Sequence, residues 1–123
     1  MHTDQFYING LWVAPRGKER RDVIDPATES AVAEIAMGNV EDVDDAVLAA
    51  RQAFEGFAAT PLAERIALLE RILAEYERRS PDLARAMTSE MGAPASFAEG
   101  SQALMGTLHL RQMLKTLEDY EWS

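Results

Sequence analysis

With 123 residues, of which 47% are hydrophobic and 27% charged, the chain has the size and composition of one small globular domain and is too apolar for a disordered one. Twenty-one acidic residues against twelve basic ones give a net charge of −9, which disfavours nucleic acid and anionic membranes as partners. The sequence contains no cysteine, which excludes disulfides, thiolate metal sites and thiol catalysis within these residues.

The first quarter of the chain is predicted to form a β-hairpin and short strands. Two apolar runs, 6–8 and 11–13, flank Asn9-Gly10, a dipeptide that tolerates positive φ at both turn positions and is typical of a tight hairpin. A second apolar pair, Val23-Ile24, runs into a turn that contains Pro26. Residues 31–36 alternate loosely in polarity, which predicts a further short strand.

Helical periodicity begins at Asn39, which is predicted to cap the first helix with Asp42 three positions later. Six apolar residues then recur at spacings of three and four and predict one apolar helix face: Val43, Ala46, Val47, Ala50, Phe54 and Phe57. We interpret the acidic residues at this helix start as a solvated face that the helix dipole favours: Glu41, Asp42, Asp44 and Asp45.

Three more helices are predicted up to residue 118. Thr60-Pro61 and Ser80-Pro81 each have the pattern of a helix start, and Gly92 has that of a helix end. The last helix is predicted over 95–117, with glycines at 100 and 106 where another backbone can approach closely. We expect a buried apolar stripe on the second helix: Leu62, Ile66, Leu69, Ile72, Leu73 and Tyr76. We expect four methionines to fill gaps in the core: Met87, Met91, Met105 and Met113.

The residue pattern alone predicts no catalytic or cofactor-binding site. The two histidines, His2 and His109, are far apart and belong to no metal-binding motif. No glycine forms the G-x-G-x-x-G or P-loop pattern that cradles phosphates. No serine stands in a nucleophile elbow. From these residues alone, the interpretation is a mainly helical domain of unknown function.

Five segments taken in order do resemble the aldehyde dehydrogenase family. Residues 6–13 resemble its "INGEWV" opening and 23–29 its "INPATGE" segment. Residues 41–54 and 64–69 resemble its first two helices, and 90–94 stand where the family has "ETGKP". Two positions depart from the family pattern, Asp25 for the common Asn and Ala93 for the common Lys, and Ala93 indicates a side branch of the family.

The resemblance implies an α/β parent fold, of which this segment is mostly α, with four helices after a short N-terminal β-hairpin. Residues 1–123 would form the N-terminal part of the cofactor-binding domain, with the hairpin and short strands at 1–36 and a helical layer at 39–118. The catalytic domain would be absent.

The resemblance also implies the chemistry of the parent enzyme, which oxidises an aldehyde to a carboxylic acid with NAD or NADP through a cysteine thiohemiacetal. The family's catalytic and cofactor-binding residues would lie beyond Ser123, so we expect neither activity nor cofactor binding from this chain alone. Its expected partners are the rest of the parent enzyme, or a second copy through exposed helix faces. With no secretory signal or membrane-spanning run, the expected location is the cytoplasm.

Some family members bind a monovalent cation near their N-terminal helices. The resemblance carries this site onto the backbone carbonyls of Val23 and Ile24 and the carboxylate of Glu90, since hard cations take oxygen ligands. The alternative is that Glu90 is a helix-end acid in an ion pair.

A second hypothesis for the whole chain is a non-catalytic helical interaction module, or a remnant of the family. The coding DNA that follows residue 123 discriminates the two, because a parent enzyme requires the reading frame to continue toward a cysteine.

Overall fold

The computed structural model describes residues 2–121. The chain divides into two compact units, Met1–Ala59 and Thr60–Ser123. The first unit contains four strands and a helix, and the second is helical. No helix within residues 2–121 is long and apolar enough to cross a membrane.

The first unit opens with the predicted hairpin. Strands β1 (Phe6–Ile8) and β2 (Leu11–Val13) pair antiparallel. Asn9 and Gly10 occupy the turn with φ of 52° and 78°, a conformation that Asn and Gly adopt more easily than other residues. The hairpin prediction is confirmed.

A second antiparallel hairpin follows, formed by β3 (Arg20–Asp25) and β4 (Ser30–Ala36). Its turn is fixed by the carboxylate of Asp25, which accepts hydrogen bonds from the Ala27 backbone N–H at 2.8 Å and the Thr28 hydroxyl at 3.0 Å. The strand predicted at 31–36 is therefore confirmed, and it pairs with a β3 that begins three residues before Val23.

Helix α1 (Val40–Ala58) completes the first unit and begins with the predicted cap. The Asn39 side chain accepts a hydrogen bond from the Asp42 backbone N–H at 3.0 Å, and the Asp42 carboxylate accepts one from the Asn39 N–H at 2.9 Å. This reciprocal capping box satisfies two backbone donors that the first turn of a helix leaves unpaired.

Helix α2 (Leu62–Met91) corrects the predicted helix count. It runs without a break through Ser80 and Pro81, so residues 2–121 contain three helices after the strands and not four. Proline removes one backbone donor but its φ suits a helix, and the Ala-, Leu-, Glu- and Arg-rich sequence on both sides has high helix propensity. The helix ends where predicted, with Gly92 left-handed at φ 68° and its N–H bonded to the Thr88 carbonyl.

The last helix, α3, covers residues 95–119 and changes its winding near its start. It is α-helical at Ala95–Phe97, π-helical at Ala98–Gln102 and α-helical again at Ala103–Asp119. The Tyr76 hydroxyl of α2 donates a hydrogen bond of 2.8 Å to the Ala103 carbonyl, directly after the π-helical turn.

Both glycines of α3 were predicted to lie where another backbone approaches. At Gly106 the neighbour is instead a side chain, since an added Cβ would overlap the Tyr76 ring. At Gly100 an added Cβ would meet no described atom within 4 Å, so that prediction is wrong.

The core of the second unit is small. Ala84, Ala98 and Ala103 are buried, with Met87 and Ala93 packed against them. No large side chain within residues 2–121 is fully buried. The predicted buried stripe of α2 is only half-buried, and its Ile72 is exposed. Of the four methionines expected to fill the core, three are exposed: Met91, Met105 and Met113.

We expect Gly106→Ala to destabilise the second unit, because the added methyl group displaces the Tyr76 ring and its hydrogen bond to Ala103. Overpacking of this kind lowers the free energy of unfolding by roughly 1–3 kcal/mol. Thermal unfolding followed by circular dichroism measures it. The control is Gly100→Ala, where the site is open and alanine favours the helix. Equal melting temperatures for the two variants would contradict the packing argument.

Candidate functional site

Asp42 is the most heavily hydrogen-bonded side chain of the first unit. It is buried, with 7% of its surface exposed. Its carboxylate accepts backbone N–H bonds from Arg16 at 2.8 Å, Gly17 at 3.1 Å and Asn39 at 2.9 Å. These bonds fasten the loop between β2 and β3 to the first turn of α1.

The same bonds hold the pKa of Asp42 below its ordinary value. The largest cause is the backbone N–H of Arg16, followed by that of Asn39, because both stabilise the charged carboxylate. The interpretation of the acidic run as a solvated face is therefore wrong for Asp42, although Glu41 and Asp44 are exposed. The Asn39-x-x-Asp42 spacing is the feature of the sequence that indicates this burial, because a capping box turns the Asp42 carboxylate toward the backbone.

Arg16 and Asp45 form an ion pair beside this cluster. The guanidinium approaches the Asp45 carboxylate at 2.7 and 2.9 Å, and this hydrogen bond raises the pKa of Arg16 further above its usual value. Both side chains are about half exposed, so the pair adds little stability. Each group neutralises the other, which suits neither for acid–base catalysis at neutral pH.

An open cleft of about 430 Å³ lies between the first hairpin and α1. Its α1 wall is formed by Asp42, Asp45, Leu48, Ala49 and Gln52. The hairpin therefore faces the more polar side of this helix.

The opposite side of α1 is apolar and exposed. We call it the α1 stripe: Val40, Val43, Ala46, Val47, Ala50, Phe54 and Phe57. Val40 is 75% exposed and Phe54 is 68% exposed. A helix normally turns such a stripe toward a core, and contiguous exposed apolar surface marks an interaction site. The second unit also exposes large apolar side chains: Ile72, Met91, Phe97, Leu104, Met105, Leu108 and Met113.

The start of α1 is unsuited to phosphate binding. A helix N-terminus that follows a strand is a common anion site, because its free N–H groups point outward. Here the Asp42 carboxylate lies at that end and accepts the Asn39 N–H, while Asn39 takes the Asp42 N–H. A negative charge already occupies the position that a dinucleotide phosphate would need.

The residues predicted to bind a monovalent cation lie in separate units. Val23 is half-buried and Ile24 exposed on β3 of the first unit, and Glu90 is exposed in the last turn of α2 in the second. The structure brings Val23 and Ile24 together at a β-bulge, where Val32 is the extra residue of β4. No cluster of three or more His, Cys, Asp or Glu side chains that could hold a metal ion occurs within residues 2–121.

Comparison with known proteins identifies relatives over almost the whole chain. The sequence model described as "Aldehyde dehydrogenase family" matches residues 12–122. A putative aldehyde dehydrogenase of Staphylococcus aureus is 44% identical over 116 residues, which are 94% of this chain and 24% of that protein.

Solved structures agree in fold. An aldehyde dehydrogenase from Bartonella henselae superposes with a TM-score of 0.94 at 40% identity, over 97% of this chain and 25% of the other. A mutant of aldehyde dehydrogenase C from Pseudomonas syringae, in complex with NAD+ and octanal, gives a TM-score of 0.93 at 40% identity, over 98% and 25%. The chain thus spans about a quarter of the length of these relatives.

We expect Asp42→Asn to lower the melting temperature at pH 7 by roughly 5 °C or more, because an amide nitrogen cannot accept the backbone N–H bonds. The folded pKa of Asp42 is lowered, so its stabilisation is present above the ordinary aspartate pKa of about 4 and is lost as the pH falls through the folded value. The difference between native chain and variant should therefore shrink below about pH 4. Asp22→Asn, which removes the same charge at an exposed site of the same unit, is the control. Equal losses of melting temperature in the two variants would rule out the role of the Asp42 carboxylate in joining the loop to α1.

Proposed function

Because this chain belongs to the aldehyde dehydrogenase family and corresponds to its N-terminal portion, we propose that it supplies one structural layer of an enzyme that oxidises an aldehyde to a carboxylic acid with NAD+ or NADP+. The thiohemiacetal on which that reaction depends needs a cysteine, and this chain has none. The nucleophile must come from a part of the parent that these residues do not include.

The observation that carries this proposal is the exposed α1 stripe in a chain that spans a quarter of its relatives. Within residues 2–121 neither unit buries a large side chain completely, so each has little core of its own. The rest of the parent polypeptide is the occupant that we propose for the stripe. Residues 1–123 then form the N-terminal part of the cofactor-binding domain, with 39–118 as a helical layer against it.

One described feature argues against a nicotinamide dinucleotide in this segment. The helix that follows a strand, α1, carries the Asp42 carboxylate at its start. We therefore propose that the parent's cofactor is bound outside this segment, and we derive no catalytic step from these residues. The Pseudomonas syringae relative was crystallised with NAD+, which supports a nicotinamide cofactor for the parent.

We propose two partners, the remainder of the parent and, when the chain is alone, a second copy of itself. The net charge of −9 argues against nucleic acid and anionic membrane surfaces. The cytoplasm remains the expected location. A non-catalytic interaction module is the second candidate, and the exposed helix faces are compatible with it as well.

The monovalent cation site predicted from Val23, Ile24 and Glu90 stays a prediction. One feature of each unit supports it. The bulge beside Val23 and Ile24 interrupts the regular pairing of strand carbonyls. Glu90 places a negative charge in the last turn of α2, which contains no basic residue, so a cation nearby would relieve its repulsion with the helix dipole.

A chimera tests the proposed function. This chain replaces the corresponding quarter of the Pseudomonas syringae enzyme, and NADH formation from octanal and NAD+ is followed by absorbance. We expect activity within about tenfold of that enzyme, since the two segments share 40% identity and a TM-score of 0.93. Phe54→Asp in the chimera should abolish folding or activity, because it buries an unpaired charge.

The matched control is Glu41→Gln, an exposed change on the same helix but outside the α1 stripe, which should leave the chimera active. The isolated chain should form no NADH under the same conditions. An inactive chimera that folds, or an active isolated chain, would overturn the proposal.

A cation titration tests the predicted site. The melting temperature of the chimera should rise by several degrees in sodium or potassium chloride relative to tetramethylammonium chloride at equal ionic strength, because a ligand stabilises the state that binds it. Glu90→Gln should remove this rise. Glu70→Gln, an exposed change on the same helix, should retain it. A rise that survives Glu90→Gln would refute the assignment of Glu90.

A further inference from the structure

We propose that, in the isolated chain, α1 pairs antiparallel with α1 of a second copy through the α1 stripe. This pairing rests on the proposed function in one respect. In the isolated chain, the remainder of the parent enzyme that would otherwise cover the stripe is absent. The second copy is the one occupant of this surface, and the charges on the edge of the stripe fix the register of the two helices.

The centre of the stripe allows a close approach. Ala46 and Ala50 are small and exposed on either side of Val47, and the bulkiest side chains of the stripe, Phe54 and Phe57, stand toward the C-terminal end of α1. In an antiparallel pair, each Phe54 therefore lies opposite the N-terminal part of the other helix. There it fits between Val40 and Val43, whose side chains are 75% and 59% exposed.

Charges select the register. Asp44 and Arg51 are seven positions apart, close to two helical turns, so both lie on one edge of the stripe. In an antiparallel pair of helices an edge meets the same edge of its partner. Placing the two-fold axis between Val47 and Leu48 sets Asp44 of each copy against Arg51 of the other. Neither side chain forms an ion pair within residues 2–121 of its own chain, so both are available.

In a parallel pair an edge would instead meet the opposite edge of its partner, so Asp44 and Arg51, which share one edge, would not face each other. The antiparallel arrangement is therefore the one that the charge pattern favours.

A single engineered cysteine tests the geometry, because the chain has none of its own. Val47→Cys places two thiols beside the proposed two-fold axis, within reach of a disulfide. Leu48→Cys is the matched control, since Leu48 is exposed to a similar extent, 55% against 45%, but lies on the cleft side of α1. Mild oxidation should cross-link Val47→Cys at least about tenfold faster, as expected for paired thiols over random collision.

A charge exchange tests the register. Sedimentation equilibrium should give a dimer for the native chain. Asp44→Arg alone and Arg51→Asp alone should each weaken its Kd about tenfold, because two attractive contacts become repulsive. The double variant should restore the Kd to within about threefold, since the same two pairs reform with opposite polarity. Circular dichroism checks that each variant keeps its helix content.

A chain that is monomeric at all concentrations overturns the pairing. Equal rates of cross-linking in the two cysteine variants would also overturn it. So would a dimer whose Kd is the same in the native chain and in the charge variants. The two proposals can fail separately. An active chimera with a monomeric isolated chain rejects only the pairing, whereas an inactive chimera with cross-linked Val47→Cys rejects only the proposed function.

Discussion

The carboxylate of Asp42 determines how the first unit is built. Its bonds to the backbone N–H groups of Arg16 and Gly17 hold the loop after β2 against the start of α1. With the loop fixed there, the hairpin lies along the side of α1 that carries Leu48 and Ala49, and the cleft forms between them. The apolar stripe is left on the opposite side. A buried, hydrogen-bonded acid thus influences which face of the helix stays exposed.

This arrangement departs from the usual amphipathic rule, and it agrees with the proposed role of the chain as one layer of a longer enzyme. A helix in a complete domain turns its most apolar side inward. Within residues 2–121, α1 turns that side outward, and the relatives are about four times longer than this chain. The sequence of α1 suits the interior of a larger protein. Within residues 2–121 the same side chains lie at the surface.

Local features were predictable from the sequence because local chemistry determines them. The Asn9-Gly10 turn, the Asn39 cap and the Gly92 helix end each depend on a few neighbouring residues. Ser80-Pro81 misled the helix count, since the pattern of a helix start is also tolerated inside a long helix. The burial of Asp42 and the contact of Tyr76 with Gly106 join residues about thirty positions apart, which periodicity does not report. The cation residues follow only from the resemblance, because an acid at the end of a helix is common and by itself indicates no cation site.

Pro81 gives α2 one weak position, since proline has no N–H for the carbonyl of Glu77 one turn earlier. The helix is secured to α3 on both sides of that gap. Before it, Tyr76 donates to the Ala103 carbonyl and Glu77 pairs with Arg111 at 2.7 Å. After it, Ala84 packs against Ala98 and Ala103. The last helix therefore holds α2 on both sides of the proline, and the continuity of α2 through Pro81 depends on this pair of helices as well as on its own sequence.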